Sequence, residues 1–264
     1  MIESYEKALA DYNEYMHTSY TTANPELILI TRRSGVKKKN EVIERIHSHS
    51  KPISSPSAFS HTIAEAIVGM DGDRVSNEAA ILFRKDMNYD DDPEAILVHE
   101  LSHVFALSQE YGGNLFYDIM DEDNLGLFSG YLIWKELIAE YITNKIYPTW
   151  PSRLSDFEIT TENKLDMIRL DKQDHAVASS YFATVACCEE FCFPDQLEAR
   201  IEKMHLPFPS TIRLLSQQLK KENYWEITQE FIEEFGNQFI VDKSFVMMDL
   251  MIEGALPFPE NFQI

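Results

Sequence analysis

His99, Glu100 and His103 stand in a stretch, Ala95 to Leu107, that from Ile96 to Phe105 carries no other charged residue. Histidines four apart on a helix lie one turn above each other on the same face, so both imidazoles can reach a single ion, and zinc suits such a pair. Glu100 follows the first histidine, where its carboxylate reaches a water on the ion rather than the ion itself; that is the position a general base requires. In a chain with eight histidines the bare pattern can arise by chance, so the flanks carry the weight. Leu97, Leu101 and Val104 recur at helical spacing, which predicts a buried helix. Two histidines and a glutamate buried there without partners would be costly, and a shared metal satisfies all three.

A catalytic zinc takes three protein ligands and leaves a position for water. The long-spaced metzincin pattern would need Gly at 106 and His at 109, where this chain has Ala106 and Gln109, so that branch is excluded. Further on, Trp134-Lys135-Glu136-Leu137-Ile138-Ala139-Glu140-Tyr141 is an uninterrupted helical stretch that directs an acid into an otherwise apolar surface. This segment resembles the second motif of the gluzincin zinc metallopeptidases, with similarity to both the thermolysin and the M1 aminopeptidase patterns, and the likeness spans residues 95–146. The resemblance implies that Glu136 is the third zinc ligand and that Glu140, one turn on, holds the first histidine by its free ring nitrogen. It also implies an oxyanion-stabilising His or Tyr in the downstream helical part, for which His175, Tyr181 and, more weakly, His205 are candidates. Lys135 stands where both patterns have Asn, and no Gly-x-Met-Glu-Asn segment precedes the zinc helix, so the likeness does not extend to aminopeptidase specificity.

The elements that must position these residues are legible in outline. Ile2 to about His17 has helical periodicity, and Leu27 to Thr31 is a short branched run that predicts a strand. Arg32 to Lys39 reads as a basic turn around Gly35, with a helix from Asn40 or Glu41 to His47. Thr62–Val68 and Ala79–Phe83 read as antiparallel strands about the turn Gly69 to Asp73. Asn77–Arg84, just before the zinc helix, is either the edge on which an extended substrate pairs or an internal strand with no free edge. Asp90-Asp91-Asp92-Pro93-Glu94 predicts the start of the zinc helix. Ser108 to Gly130 is long enough to wall or cover a cleft.

After Pro148 and Pro151 the periodicity is helical. The expected fold is α+β and zincin-like: residues 1–147 hold a small mixed sheet and both motif helices, and residues 148–264 form a helical half closing the cleft.

The 264 residues include 44 acidic and 23 basic ones, a net charge of -21 that repels nucleic acid and anionic membrane and favours a peptide or protein as partner. No signal peptide or membrane-length apolar run is evident, and Cys187, Cys188 and Cys192 crowd one segment without forming a disulfide framework, which points to the cytoplasm. Cys188 with Cys192, and His47 with His49, read as small thiols and solvated imidazoles rather than as further metal pairs. Neither acidic run, at 90–92 or at Asp121-Glu122-Asp123-Asn124, has the spacing of a calcium loop. The resulting expectation is a zinc-dependent peptide hydrolase in which Glu100 activates the water. The alternatives are an ImmA-like regulatory protease and a metal-stabilised interaction protein without turnover. Substrate and oligomeric state are not legible.

Overall fold

Apolar side chains returning every three or four residues make Ile2–Met16 (α1) a helix, and Tyr5, Ala8, Leu9, Tyr12 and Met16 form its buried face. The computed structural model describes residues 1–48, 54, 63–72, 74–87, 92–108, 124–148, 153–154, 159–168 and 172–258. Within them the architecture is mixed α+β, with helices predominating over one three-stranded sheet. The chain divides into two compact units, Met1–Asp118 with Ile142–Pro148, and Ile119–Tyr141 with Thr149–Ile264. The second motif helix, Leu125–Ile146 (α4), is therefore shared at 141/142, whereas the sequence reading kept it whole in the first part.

In the first unit the strands are Glu26–Ile30 (β1), Ala64–Asp71 (β2) and Arg74–Arg84 (β3), in the order β1-β3-β2. β1 runs parallel to β3, from Glu26 opposite Ala80 to Ile30 opposite Arg84, and β2 runs antiparallel to it, from Ala64 opposite Phe83 to Asp71 opposite Arg74. The β2–β3 turn uses Gly72 at φ 63, a backbone that side chains disfavour. Because β3 is central, Ala79 to Phe83 are buried on both faces, which is why they form a continuous apolar run rather than an alternating one. Ala80, Leu82, Ile30 and Ile67 pack with Val42 and Ile43 of the helix Arg32–Arg45 (α2) and with Ile46 at its C-cap. The opposite face is covered by Pro93–Ser108 (α3), which packs on β2, β3 and α1.

Two expectations are corrected. Asn77–Arg84 offers no free edge: residues 80–84 pair with β1 on one side, and residues 79–83 pair with β2 on the other. Below them, Asn24 accepts from Ala79 N (3.0 Å) and donates to the Asn77 carbonyl. The alternative of an internal strand is the one observed, because the short run at 26–30 takes up the side of β3 that the hairpin leaves open. The basic run Arg32 to Lys39 is helix, not turn. Thr31 and Ser34 form a capping box (Ser34 N to Thr31 Oγ1 3.2 Å, Thr31 N to Ser34 Oγ 2.9 Å) that starts α2 at Arg32.

In the second unit the helices are the first part of α4, Thr161–Met167 (α5), Lys172–Cys187 (α6), Pro194–Met204 (α7), Pro209–Leu219 (α8) and Gln229–Ile252 (α9), with a 3₁₀ turn at Glu189–Cys192. Its core is aromatic: Phe182, Phe208, Phe235 and Phe239 are fully buried, and Phe208 stacks on Phe239 with centroids 5.0 Å apart. α4 crosses α9 with backbones in contact. A Cβ on Gly130 would fall 2.1 Å from the Ile232 carbonyl, and one on Gly236 would fall 1.8 Å from that of Gly126. Trp134, one turn on, closes edge-on against Phe231 and Phe235. Among the described residues no helix is long and apolar enough to cross a membrane.

Candidate metal centre

α3 starts where the sequence places it. Pro93 occupies the first helical position, Glu94 lies in the first turn, and the Asp92 carbonyl accepts from Ala95 N and Ile96 N (3.0 and 3.2 Å). Asp90 and Asp91 lie outside the described residues. Leu97, Val98, Leu101 and Val104 are buried, so the helix is anchored on its apolar side and its rotation about its own axis is set. Ser102, the remaining polar side chain of this stretch, turns back on the Val98 carbonyl at 2.9 Å.

That anchoring brings the motif residues together. His103 is buried, His99 half-buried, and their Nε2 atoms lie 3.0 Å apart with the rings edge-on at 86°. At this distance one proton can bridge the nitrogens, or both lone pairs can turn onto one ion. Two zinc ligands at tetrahedral angles stand about 3.3 Å apart, so the pair needs little adjustment. Glu100 is buried beside them, 8% exposed.

Among the described residues, His99, His103 and Glu136 are the group of ligating side chains within reach of one ion: each offers one atom, and these atoms all lie within 4.8 Å of one another. Two imidazoles and a carboxylate are a donor set that zinc accepts. Glu136 also meets a cation, with Lys135 Nζ 3.2 Å from its Oε1. This Lys–Glu contact was not legible beforehand, since neighbours on a helix ordinarily diverge.

One turn on, Glu140 accepts from Ser180 Oγ of α6 (3.2 Å), which ties its carboxylate to the helical unit. Ser180 carried no signal in the sequence that would have marked it. The oxyanion candidates lie in packed surroundings. Tyr181 donates its hydroxyl proton to the Pro207 carbonyl (2.8 Å) and leans on Phe182 and Phe208. Burial first, and the Asp242 charge second, push its phenol well above its ordinary pKa. Its one proton is thus committed, and a role at an oxyanion would require breaking that bond. His175 is buried with its ring against Phe128 and Phe239 (6.1 and 6.5 Å between centroids). His205 is exposed at the end of α7.

Of the remaining sequence candidates, His47 ends α2 in a left-handed backbone (φ 53) and His49 lies outside the described residues. Cys187, Cys188 and Cys192 are not joined in disulfides, and Cys188 Sγ donates to the Thr184 carbonyl at 3.3 Å. Gln109 to Asp123, most of the connection read as a cleft wall, also lie outside the described residues, as does Asp171.

Comparison of the chain with protein-family models, with curated proteins and with solved structures gives no match.

Proposed function

We propose that the chain is a zinc-dependent metallopeptidase of gluzincin type on a zincin-like fold, acting on a peptide or protein. The observation that carries this reading is the grouping of His99, His103 and Glu136. The first two come from a stretch that also holds a buried glutamate next to the first ligand. His99, His103 and Glu136 would hold zinc, which when bound supplies a Lewis acid that brings the pKa of water towards neutrality and polarises a carbonyl.

Glu100 takes a proton from the attacking water and returns it to the leaving amine. Its placement in sequence beside a ligand suits a carboxylate that reaches a water on the ion rather than the ion itself. Glu140 orients the ligand set, with Ser180 holding its second side. Cysteines outside disulfides and a net charge of -21 support a cytoplasmic setting and a substrate that is neither nucleic acid nor anionic lipid.

The test separates ligand from base. Glu100→Gln keeps size and hydrogen bonding but removes the proton acceptor, so zinc content and melting temperature should be retained while hydrolysis falls by about 10²- to 10⁴-fold. A mixed peptide library read by mass spectrometry, with a chelated sample as control, supplies the substrate. Equal, chelator-insensitive cleavage by wild type and Glu100→Gln overturns the peptidase reading. Full zinc loading with that behaviour would instead support a metal-stabilised interaction protein.

A further inference from the structure

Backbone groups alternate in direction along a strand, so a strand at the edge of a sheet turns every second N–H and C=O away from its neighbour. The register of β1 on β3 fixes which ones. Lys85 N donates to the Ile30 carbonyl (3.0 Å), one step beyond the paired residues, and this directs the backbone of Glu26, Ile28 and Ile30 onto β3. Leu27 and Leu29 therefore present N–H and C=O on the outer side, and among the described residues nothing donates to them or accepts from them there.

The two outer edges of the sheet differ. β2 has a register irregularity between Val68 and Met70, and Met70 N is taken by the Ile46 carbonyl (3.2 Å), so its outer edge is blunted. β1 reads Glu-Leu-Ile-Leu-Ile and pairs with β3 without a break. Its one charge, Glu26, is answered by Arg45, and Leu29 is 37% exposed. An apolar edge with no lysine, proline or bulge in it is one to which another strand adds.

We propose that β1 pairs with β1 of a second copy of this chain, antiparallel about a two-fold axis at Ile28. The strand is complementary to itself in that register. Leu27 stands opposite the partner's Leu29, and Leu29 opposite the partner's Leu27, so the residues whose backbone points outward meet each other and exchange N–H and C=O within each pair. Glu26 falls opposite the partner's Ile30, so no like charges are opposed. The ends limit the contact: at the next outward positions Pro25 has no N–H, and Thr31 N is already held by Ser34 Oγ (2.9 Å). A contact this short is smaller than a standard interface and makes a weak dimer. It concerns other residues than the zinc reading and is read without turnover.

Sedimentation equilibrium on the full chain tests it. The average mass should lie near that of one chain at about 5 µM, rise towards that of two by about 500 µM, and stop there, because a two-fold contact uses up both edges. Leu29→Pro removes an N–H that the β1–β3 ladder does not use, and Leu29→Lys puts a charge on an exposed edge side chain. Each should hold the protein at one chain throughout, and Leu29→Lys keeps the test valid where Leu29→Pro does not fold. Phe245→Asp, at an exposed apolar side chain of α9, should leave the association as it is. Amide exchange at Leu27 and Leu29 should slow by roughly tenfold over the same concentration range in wild type and stay fast in Leu29→Lys. A mass of one chain at about 500 µM, growth beyond two chains, or association that the Leu29 variants retain overturns the proposal.

Discussion

His103 meets His99 nitrogen to nitrogen, Nε2 to Nε2 at 3.0 Å across one turn of α3. Such a pair can share a proton or a metal ion but cannot accept two protons without like charges in contact. A metal binds neutral imidazole, and histidine ordinarily titrates near pH 6.5, so protons should displace zinc on the acid side of neutrality. Zinc content after equilibration should be high at pH 7.5 and fall steeply towards pH 5. Undiminished loading at pH 5 counts against a two-histidine site.

The carboxylates of α4 should behave differently from each other. Glu136→Ala should strip zinc in competition with a chelator, whereas Glu140→Ala should cost about 10- to 100-fold in affinity, as loss of an orienting group does. Zinc at a hundredfold excess over its Kd should stabilise the wild type by about 2.7 kcal/mol, and that increment should vanish in Glu136→Ala. If Glu140→Ala loses the metal and Glu136→Ala keeps it, the ligand has been placed one helical turn too early.

Gly130 lets α4 lie against α9, and its replacement has no side-chain remedy because the added methyl meets a backbone carbonyl at 2.1 Å. Gly130→Ala should destabilise the chain by about 1–3 kcal/mol, and lower the Tm by roughly 2–10 °C. Because Glu136 lies on the same helix, zinc affinity should drop as well. Leu125→Ala, at an exposed site on α4, is the control. An unchanged Tm in Gly130→Ala would mean that the two helices do not cross as described.

Arg213 grips Glu198 bidentately, with Nε and Nη2 at 2.8 Å from its oxygens, and holds its carboxyl below the usual glutamate range. A depressed folded pKa gives stability that is present above the unfolded value, near pH 4.3, and lost as pH falls through the folded one. With the pair nearly half exposed, solvent screening limits the effect to about 0.5 kcal/mol. Urea melts of Glu198→Gln should therefore fall slightly below wild type at pH 7 and converge with it as the pH falls through the range in which the folded carboxylate is protonated. A gap that persists undiminished at acid pH would assign the loss to packing instead of charge.

Local physics made a large part of this protein legible from its residues. α1, β1, the β2–β3 hairpin and the start of α3 follow from periodicity, branched side chains, a glycine turn and a proline at the first helical position, each acting within a few residues. His99 and His103 share a face for the same reason, since a helix dictates what four residues of separation means. α2 starts at Arg32 rather than beyond Lys39 because Thr31 and Ser34 cap it reciprocally, and their short side chains outweigh the turn signal of Gly35.

What only the tertiary structure decided is pairing over distance. An apolar run such as Ala79–Phe83 suits a central strand and a covered edge equally well, and it was the arrival of β1, some fifty residues earlier in the chain, that closed the second side of β3. The same holds for Tyr181, whose hydroxyl is free to take any role until the fold sets the Pro207 carbonyl 2.8 Å away. It holds too for Glu136, one acid among many in the sequence, which no spacing along the chain relates to two histidines over thirty residues upstream. Spacing along a chain determines which side chains share a face, but which faces meet depends on the burial of every other apolar surface at once.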